Sequence, residues 1–86
     1  MVTIRRWSKA DERAVLDLIT SVMSQEFKDA VAAYPMEDVE RVDTAYGGIG
    51  EAFFVAVVDQ NKVVGTVAIK KEDDRVALLR RLFVAP

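Results

Sequence analysis

Apolar and polar residues alternate at the start of the chain, Val2-Thr3-Ile4-Arg5-Arg6, the period-two pattern of a strand with one buried face. The period then lengthens. Ala14, Val15, Leu18, Ile19, Val22, Met23 and Phe27 recur at helical spacing behind Ser8 and Asp11, which fit a capping box with Asp11 as the alternative cap. A helix from Asp11 to about Phe27 is predicted, with Glu12, Arg13, Asp17, Thr20 and Ser21 on its solvated face. From Lys28 to Tyr34 the chain either extends that helix or forms a separate turn, and Pro35 interrupts because its ring cannot sit inside a helix. Met36, Val39 and Val42 then recur every three residues, predicting a shorter helix from Met36 to Ala45 that stops at Gly47.

The second half reads as strands. Tyr46-Gly47-Gly48-Ile49-Gly50-Glu51 follows a helix and opens a strand, the reverse of the context of a phosphate-binding glycine loop, and is read as a connector. Ala52–Val58 is continuously apolar and rich in β-branched and aromatic residues, which predicts a central strand buried on both faces. Asp59-Gln60-Asn61 supplies a turn, and Val63–Ile69 is the expected hairpin partner, with Gly65 marking a bulge or a close backbone approach. Lys70–Arg75 is a charged tip whose three carboxylates face solvent rather than form a metal site. Val76–Val84 is a last strand of mostly apolar surface, which calls for packing on each face although only Ala85-Pro86 follow.

Composition narrows the chemistry. Eighty-six residues make one domain, residues 1–86, of α+β class, and a net charge of −2 gives no basic excess for nucleic acid or anionic membranes. The absence of cysteine and histidine removes thiolate, imidazole and the usual zinc chemistry, so catalysis would rest on carboxylates, hydroxyls, backbone amides or a bound cofactor. Arg5 and Arg6 precede any apolar stretch, and the longest apolar run, Ala52–Val58, falls far short of the roughly 20 residues of a membrane span. A cytoplasmic location is expected.

The order strand, helix, short helix and three antiparallel strands resembles the first half of the GNAT family of N-acetyltransferases. The likeness extends to local sequence, in Ile4-Arg5-Arg6 before the Asp11 helix, Phe54-Val55-Ala56, Val63-Val64-Gly65-Thr66-Val67, and Arg81-Leu82-Phe83-Val84-Ala85-Pro86. The resemblance implies a partial GNAT fold and transfer of an acetyl group from acetyl-CoA to a small-molecule or peptide amine. Its cofactor-binding element maps onto the backbone of Leu82, Phe83 and Val84, which in the family holds the pantetheine arm and polarises the thioester carbonyl. A preorganised N–H aimed at the oxygen that gains charge is typically worth about 2.7–4 kcal/mol.

The departures matter as much. The family's pyrophosphate loop, the helix behind it, the fifth strand and the late tyrosine have no counterpart, and Ala77, Leu78 and Leu79 occupy the positions where many members carry a glutamate base. Glu51 and Glu72 are poor substitutes. The chain is therefore expected to be the amino-terminal part of an acetyltransferase, without tight acetyl-CoA binding or activity by itself. The alternative is a non-catalytic module that dimerises or docks a partner through its fourth strand. Either way the uncovered strand leads to the expectation of a homodimer, with strand exchange as one route. Tyr34, Tyr46, Glu37, Asp38, Glu40 and Asp43 lie in the region from which the family draws its acceptor pocket, but the acids read as solvated helix faces and none is assigned a role.

Overall fold

The computed structural model describes residues 1–26 and 36–85. Strand β1 (Thr3–Arg6) leads through a single 3-10 turn (Lys9–Asp11) into helix α1 (Glu12–Glu26). Two one-turn helices follow, α2 (Glu37–Glu40) and α3 (Val42–Ala45), and then strands β2 (Ala52–Val58), β3 (Lys62–Lys71) and β4 (Ala77–Val84). The strands form one antiparallel sheet in the order β1-β2-β3-β4. The α+β order expected from the sequence is the order found. The expected helix end at Phe27, the choice between helix and turn from Lys28 to Tyr34, and the break at Pro35 fall outside the described residues.

At the start of α1 the Asp11 carboxylate accepts the Ser8 backbone N–H at 2.8 Å, one half of the expected capping box. It also accepts a two-pronged bond from the Arg5 guanidinium at 2.7 and 2.8 Å, which ties β1 to the helix entry. Bonding to Arg5 outweighs the burial that opposes ionisation, and holds Asp11 below the usual carboxylate range. The helix buries Val15, Ile19, Val22 and Met23, positions i, i+4, i+7 and i+8. Ala14, expected on that stripe, is exposed, and Leu16 packs against the core instead.

That core lies between the helices and one face of the sheet. Val15 and Ile19 meet Val39, Val42, Tyr46, Phe53, Val55, Val57 and Ala68. Each large aliphatic side chain removed from water contributes roughly 1.5–3 kcal/mol. Tyr46 and Phe53 pack edge to face, with ring centroids 5.5 Å apart.

Two expectations are corrected. The single helix over Met36–Ala45 is two helices broken at Arg41, whose backbone (φ −140°, ψ 53°) leaves the helical region. Its apolar residues recur every three positions rather than every 3.6, so one straight helix would carry the stripe off the core. The break re-aims Val42 inward, and it is buried. Strand β2 is central but not buried on both faces: Phe53, Val55 and Val57 are buried under the helices, whereas Phe54, Ala56 and Val58 are only half-buried. No described element covers that second face.

Both hairpin irregularities have a local cause. Asp59, Gln60 and Asn61 all have positive φ, the backbone of the tight turn between β2 and β3. Ala56 pairs with Gly65 and Val57 with Val63, so Val64 is an extra residue and the bulge expected near Gly65 is present. The close approach is present too, since a Cβ on Gly65 would stand 3.2 Å from the Phe83 carbonyl oxygen. Glu72, Asp73 and Asp74 are exposed as expected, with Asp73 accepting the backbone N–H of Arg75 and Val76. Lys70 and Lys71 belong to β3 rather than to the turn.

Candidate functional site

Among the described residues strand β4 is a sheet edge paired with β3 alone, and it has an unusual backbone. Ala68 pairs with Arg80 and Thr66 with Phe83, so Arg81 and Leu82 together face the single residue Val67. Arg81 takes φ +52°, a left-handed conformation that costs a non-glycine residue on the order of 1–3 kcal/mol. Something must hold it there.

Two contacts do so. The Thr66 hydroxyl donates to the Arg81 carbonyl oxygen at 2.7 Å. The Arg81 side chain crosses to α2, where Nε and Nη2 bind the two oxygens of Asp38 at 2.9 and 2.6 Å, a fork-to-fork pair with both side chains largely buried. The Tyr46 hydroxyl donates to the same Asp38 carboxylate. Burial opposes ionisation of Asp38, yet its bonds to Arg81 and Tyr46 hold it below the usual carboxylate range. Burial, and then the bond to Asp38, push the Tyr46 phenol up to about 12. Around Tyr46, the Lys70 ammonium lies 5.7 Å from the ring centroid, donates to the Ala45 carbonyl at 2.6 Å and pairs with Glu51 at 3.1 Å.

The consequence of the bulge is the direction of the next amide. In a planar trans peptide the N–H points opposite to the preceding carbonyl. The Arg81 carbonyl is turned toward Thr66 of β3, so the Leu82 N–H points away from β3, to the free edge. Farther along, Ala85 N–H donates to Val64 O at 2.8 Å, and because amides alternate sides along a strand, Val84 faces the free edge as well. Phe83 faces β3. Of the three residues singled out in the sequence, the structure turns the amides of Leu82 and Val84 outward, while the Phe83 side chain packs against the core.

Leu82 and Val84 are 67% and 69% exposed, and Leu79 is 70% exposed. With Ile4, Phe54, Ala56 and Val67, Leu82 and Val84 line a wholly apolar groove of about 200 Å³ on the uncovered face of the sheet. Among the described residues there is no cluster of acids able to hold a metal ion, and no helix long and apolar enough to cross a membrane.

The Asp38–Arg81–Tyr46 cluster escaped the sequence reading, which placed Asp38 on a solvated helix face; the carboxylate instead turns inward onto Arg81 and Tyr46. Glu37, Glu40 and Asp43 are exposed as expected. Glu51 is committed to structure: it accepts the N–H groups of Gly48 and Lys71 and pairs with Lys70, which holds it below the usual carboxylate range. Tyr34 lies outside the described residues.

No family model and no curated protein matches the sequence. Solved structures do match. An acetyltransferase of the GNAT family from Staphylococcus aureus superposes with a TM-score of 0.84 at 21% identity, over 99% of this chain and 54% of that one. An acetyltransferase from Streptococcus agalactiae gives 0.77 at 23% identity, over 99% and 52%. A spermidine N-acetyltransferase from Vibrio cholerae, solved with CoA and spermine, gives 0.61 at 21% identity, over 99% and 52%. The chain spans about half the length of each of these structures.

Proposed function

Because the chain has part of the GNAT fold, we propose that it is the amino-terminal part of an acetyltransferase and supplies one wall of an acetyl-CoA site in an enzyme that transfers acetyl groups to an amine. The observation that carries this reading is the bulge at Arg81. It turns the Leu82 amide, as strand alternation turns the Val84 amide, to an edge of β4 that no described residue pairs, where a pantetheine arm can lie as an added strand and its thioester carbonyl can accept a hydrogen bond. An amine attacking the thioester carbon would form the amide C–N bond as the C–S bond breaks and CoA leaves as a thiolate that ends protonated, and an outward N–H aimed at the carbonyl oxygen would stabilise the charge that grows there without reorganisation. Of the groups at this edge, none described is a free carboxylate base, so the incoming amine loses its proton to water or to a group outside these residues. A wall of this kind leaves the pyrophosphate unheld, and the isolated chain binds acetyl-CoA weakly and turns nothing over.

The test is titration of the isotope-labelled chain with acetyl-CoA, followed amide by amide. Saturable shifts concentrated at Leu82–Val84, at an affinity weaker than micromolar, are expected. Shifts confined to the helices or to β1 would overturn the assignment of the edge, and micromolar affinity would overturn the single-wall reading.

A second reading rests on a different observation. Ile4, Leu79, Leu82 and Val84 are each more than 60% exposed, and they share the face of the sheet that the helices leave bare. Apolar surface of this kind drives self-association, so the chain is proposed to form a homodimer through that face when nothing else covers it. Sedimentation velocity across a concentration series reads this directly, and a single monomer species at high micromolar concentration would overturn it.

A further inference from the structure

We propose that Asp38 is a positioning residue that acts through Arg81 to aim the Leu82 amide; this rests on the reading of β4 as the acetyl-CoA wall. The two residues lie 43 positions apart, on α2 and β4, and meet in a two-pronged, largely buried ion pair. That pair grips the residue whose backbone is left-handed. An arginine has no local reason to take that conformation, as glycine or asparagine would, so the conformation is imposed by what its side chain and carbonyl are tied to. The guanidinium is tied to Asp38 and the carbonyl to Thr66. Asp38 is in turn fixed by the Tyr46 hydroxyl, and Tyr46 by its edge-to-face contact with Phe53 and by Lys70 over its ring. The brace therefore runs from the sheet, through the short helices, to one peptide plane. Rotating that plane swings the Leu82 N–H off the free edge.

Three further features of the molecule do not compete with this assignment. The groove beside Trp7, lined by Val42, Asp43, Tyr46 and Phe53, touches the same Tyr46 but leaves its hydroxyl on Asp38. The Arg5–Asp11 pair has similar geometry yet lies at the other end of the sheet and caps α1. It serves as an internal control. The bare sheet face is a matter of cover, not of amide direction.

The experiment compares backbone carbon shifts of residues 80–84 in the chain and its variants. The Cα shift of Arg81 is expected in the helical sense, as a left-handed residue requires. In Asp38→Asn it moves toward the extended sense and the Leu82 amide signal moves with it; in Asp11→Asn neither moves. Asp38→Glu keeps the charge and both acceptor oxygens and is expected to hold both signals nearer the wild type than Asp38→Asn does, which a general loss of stability would not do. Tyr46→Phe removes one bond to the carboxylate and gives a smaller movement in the same sense, so the test remains available where Asp38→Asn does not fold. Unchanged shifts at residues 81 and 82 in Asp38→Asn, or in Tyr46→Phe where that variant stands in, or equal movement in Asp11→Asn, would overturn the proposal. The acetyl-CoA titration is read separately: a wild-type chain whose β4 amides ignore acetyl-CoA refutes the cofactor wall while the shift comparison still reports on the brace.

Discussion

The hydroxyl of Thr66 reaches across from β3 and donates to the carbonyl oxygen of Arg81, the one peptide oxygen whose direction decides where the Leu82 amide points. Thr66 is itself buried, at 5% exposure, so its hydroxyl has no water to exchange for the bond. Thr66→Val is expected to lose about 1–3 kcal/mol in urea unfolding, because the Arg81 carbonyl loses its donor where solvent has little access. Thr66→Ser keeps the bond and should lie much nearer the wild type. Equal stability of the valine variant would mean that the latch contributes nothing.

Gly65 gives a second handle on the same edge. A methyl group there would meet the Phe83 carbonyl oxygen at 3.2 Å and the Ala56 Cβ at 3.4 Å, so either β4 or β2 must give way. Since β4 is the edge strand, it moves. Gly65→Ala is expected to cost about 1–3 kcal/mol and to shift the Phe83 and Val84 amides more than any in β1. Amide spectra and denaturant unfolding of the variant check both parts.

How much of the fold and the site is legible in the sequence follows from the kind of signal each feature carries. Ala52–Val58 is readable to the residue because an unbroken β-branched and aromatic run is strong local evidence. The bulge beside Gly65 is readable because a glycine inside a strand packs no side chain and so marks an irregular or crowded backbone. The bulge at Arg81 is not, because nothing local marks an arginine for a left-handed backbone. Nor is the Asp38–Arg81 pair, since a contact across 43 residues leaves no periodicity behind. The split at Arg41 is half-visible: a repeat of three at Met36, Val39 and Val42 is tighter than an α-helix supports, yet the same repeat reads at first as one continuous helix. The bare face of β2 shows the limit of composition, which marks a residue as apolar without saying what covers it.

Acid should weaken the fold through two carboxylates. Asp11 and Asp38 are both held below their usual range in the folded chain, so the unfolded chain binds protons more readily. Their contribution is complete above the unfolded value of about 3.9 and is lost as the pH falls below it through the folded values. Thermal unfolding followed from neutral pH downward should therefore hold steady and then drop below about pH 4, with a shallower drop in Asp11→Asn. A flat profile in the wild type would contradict the bonding seen around both groups.

Alkali acts through Tyr46 with the opposite sign. Its phenol is raised to about 12, so the folded chain retains a proton that the unfolded chain gives up near its ordinary value of 10.0. The stabilisation is complete below the unfolded value and disappears as the pH rises from there toward about 12. Ultraviolet titration should show one phenol ionising late, and Tyr46→Phe should abolish that late phase.

The two faces of the sheet should respond differently to substitution. Ile19→Ala opens a cavity at a fully buried position and is expected to cost about 2–5 kcal/mol in denaturant unfolding. Leu79→Lys lies on the bare face and should leave the unfolding free energy of the monomer within about 0.5 kcal/mol. In sedimentation it should suppress the self-association proposed for that face. A leucine variant as damaging as the core one would mean that the face is covered after all.

The most direct measurement is a crystal structure of the chain with S-acetyl-pantetheine, the reactive arm without its nucleotide. The arm is expected along β4 as an added strand, with the thioester carbonyl accepting the N–H of Leu82 or Val84 and the left-handed Arg81 unchanged. An arm bound on the helical side, or in the apolar groove of the bare face with those two amides untouched, would contradict it.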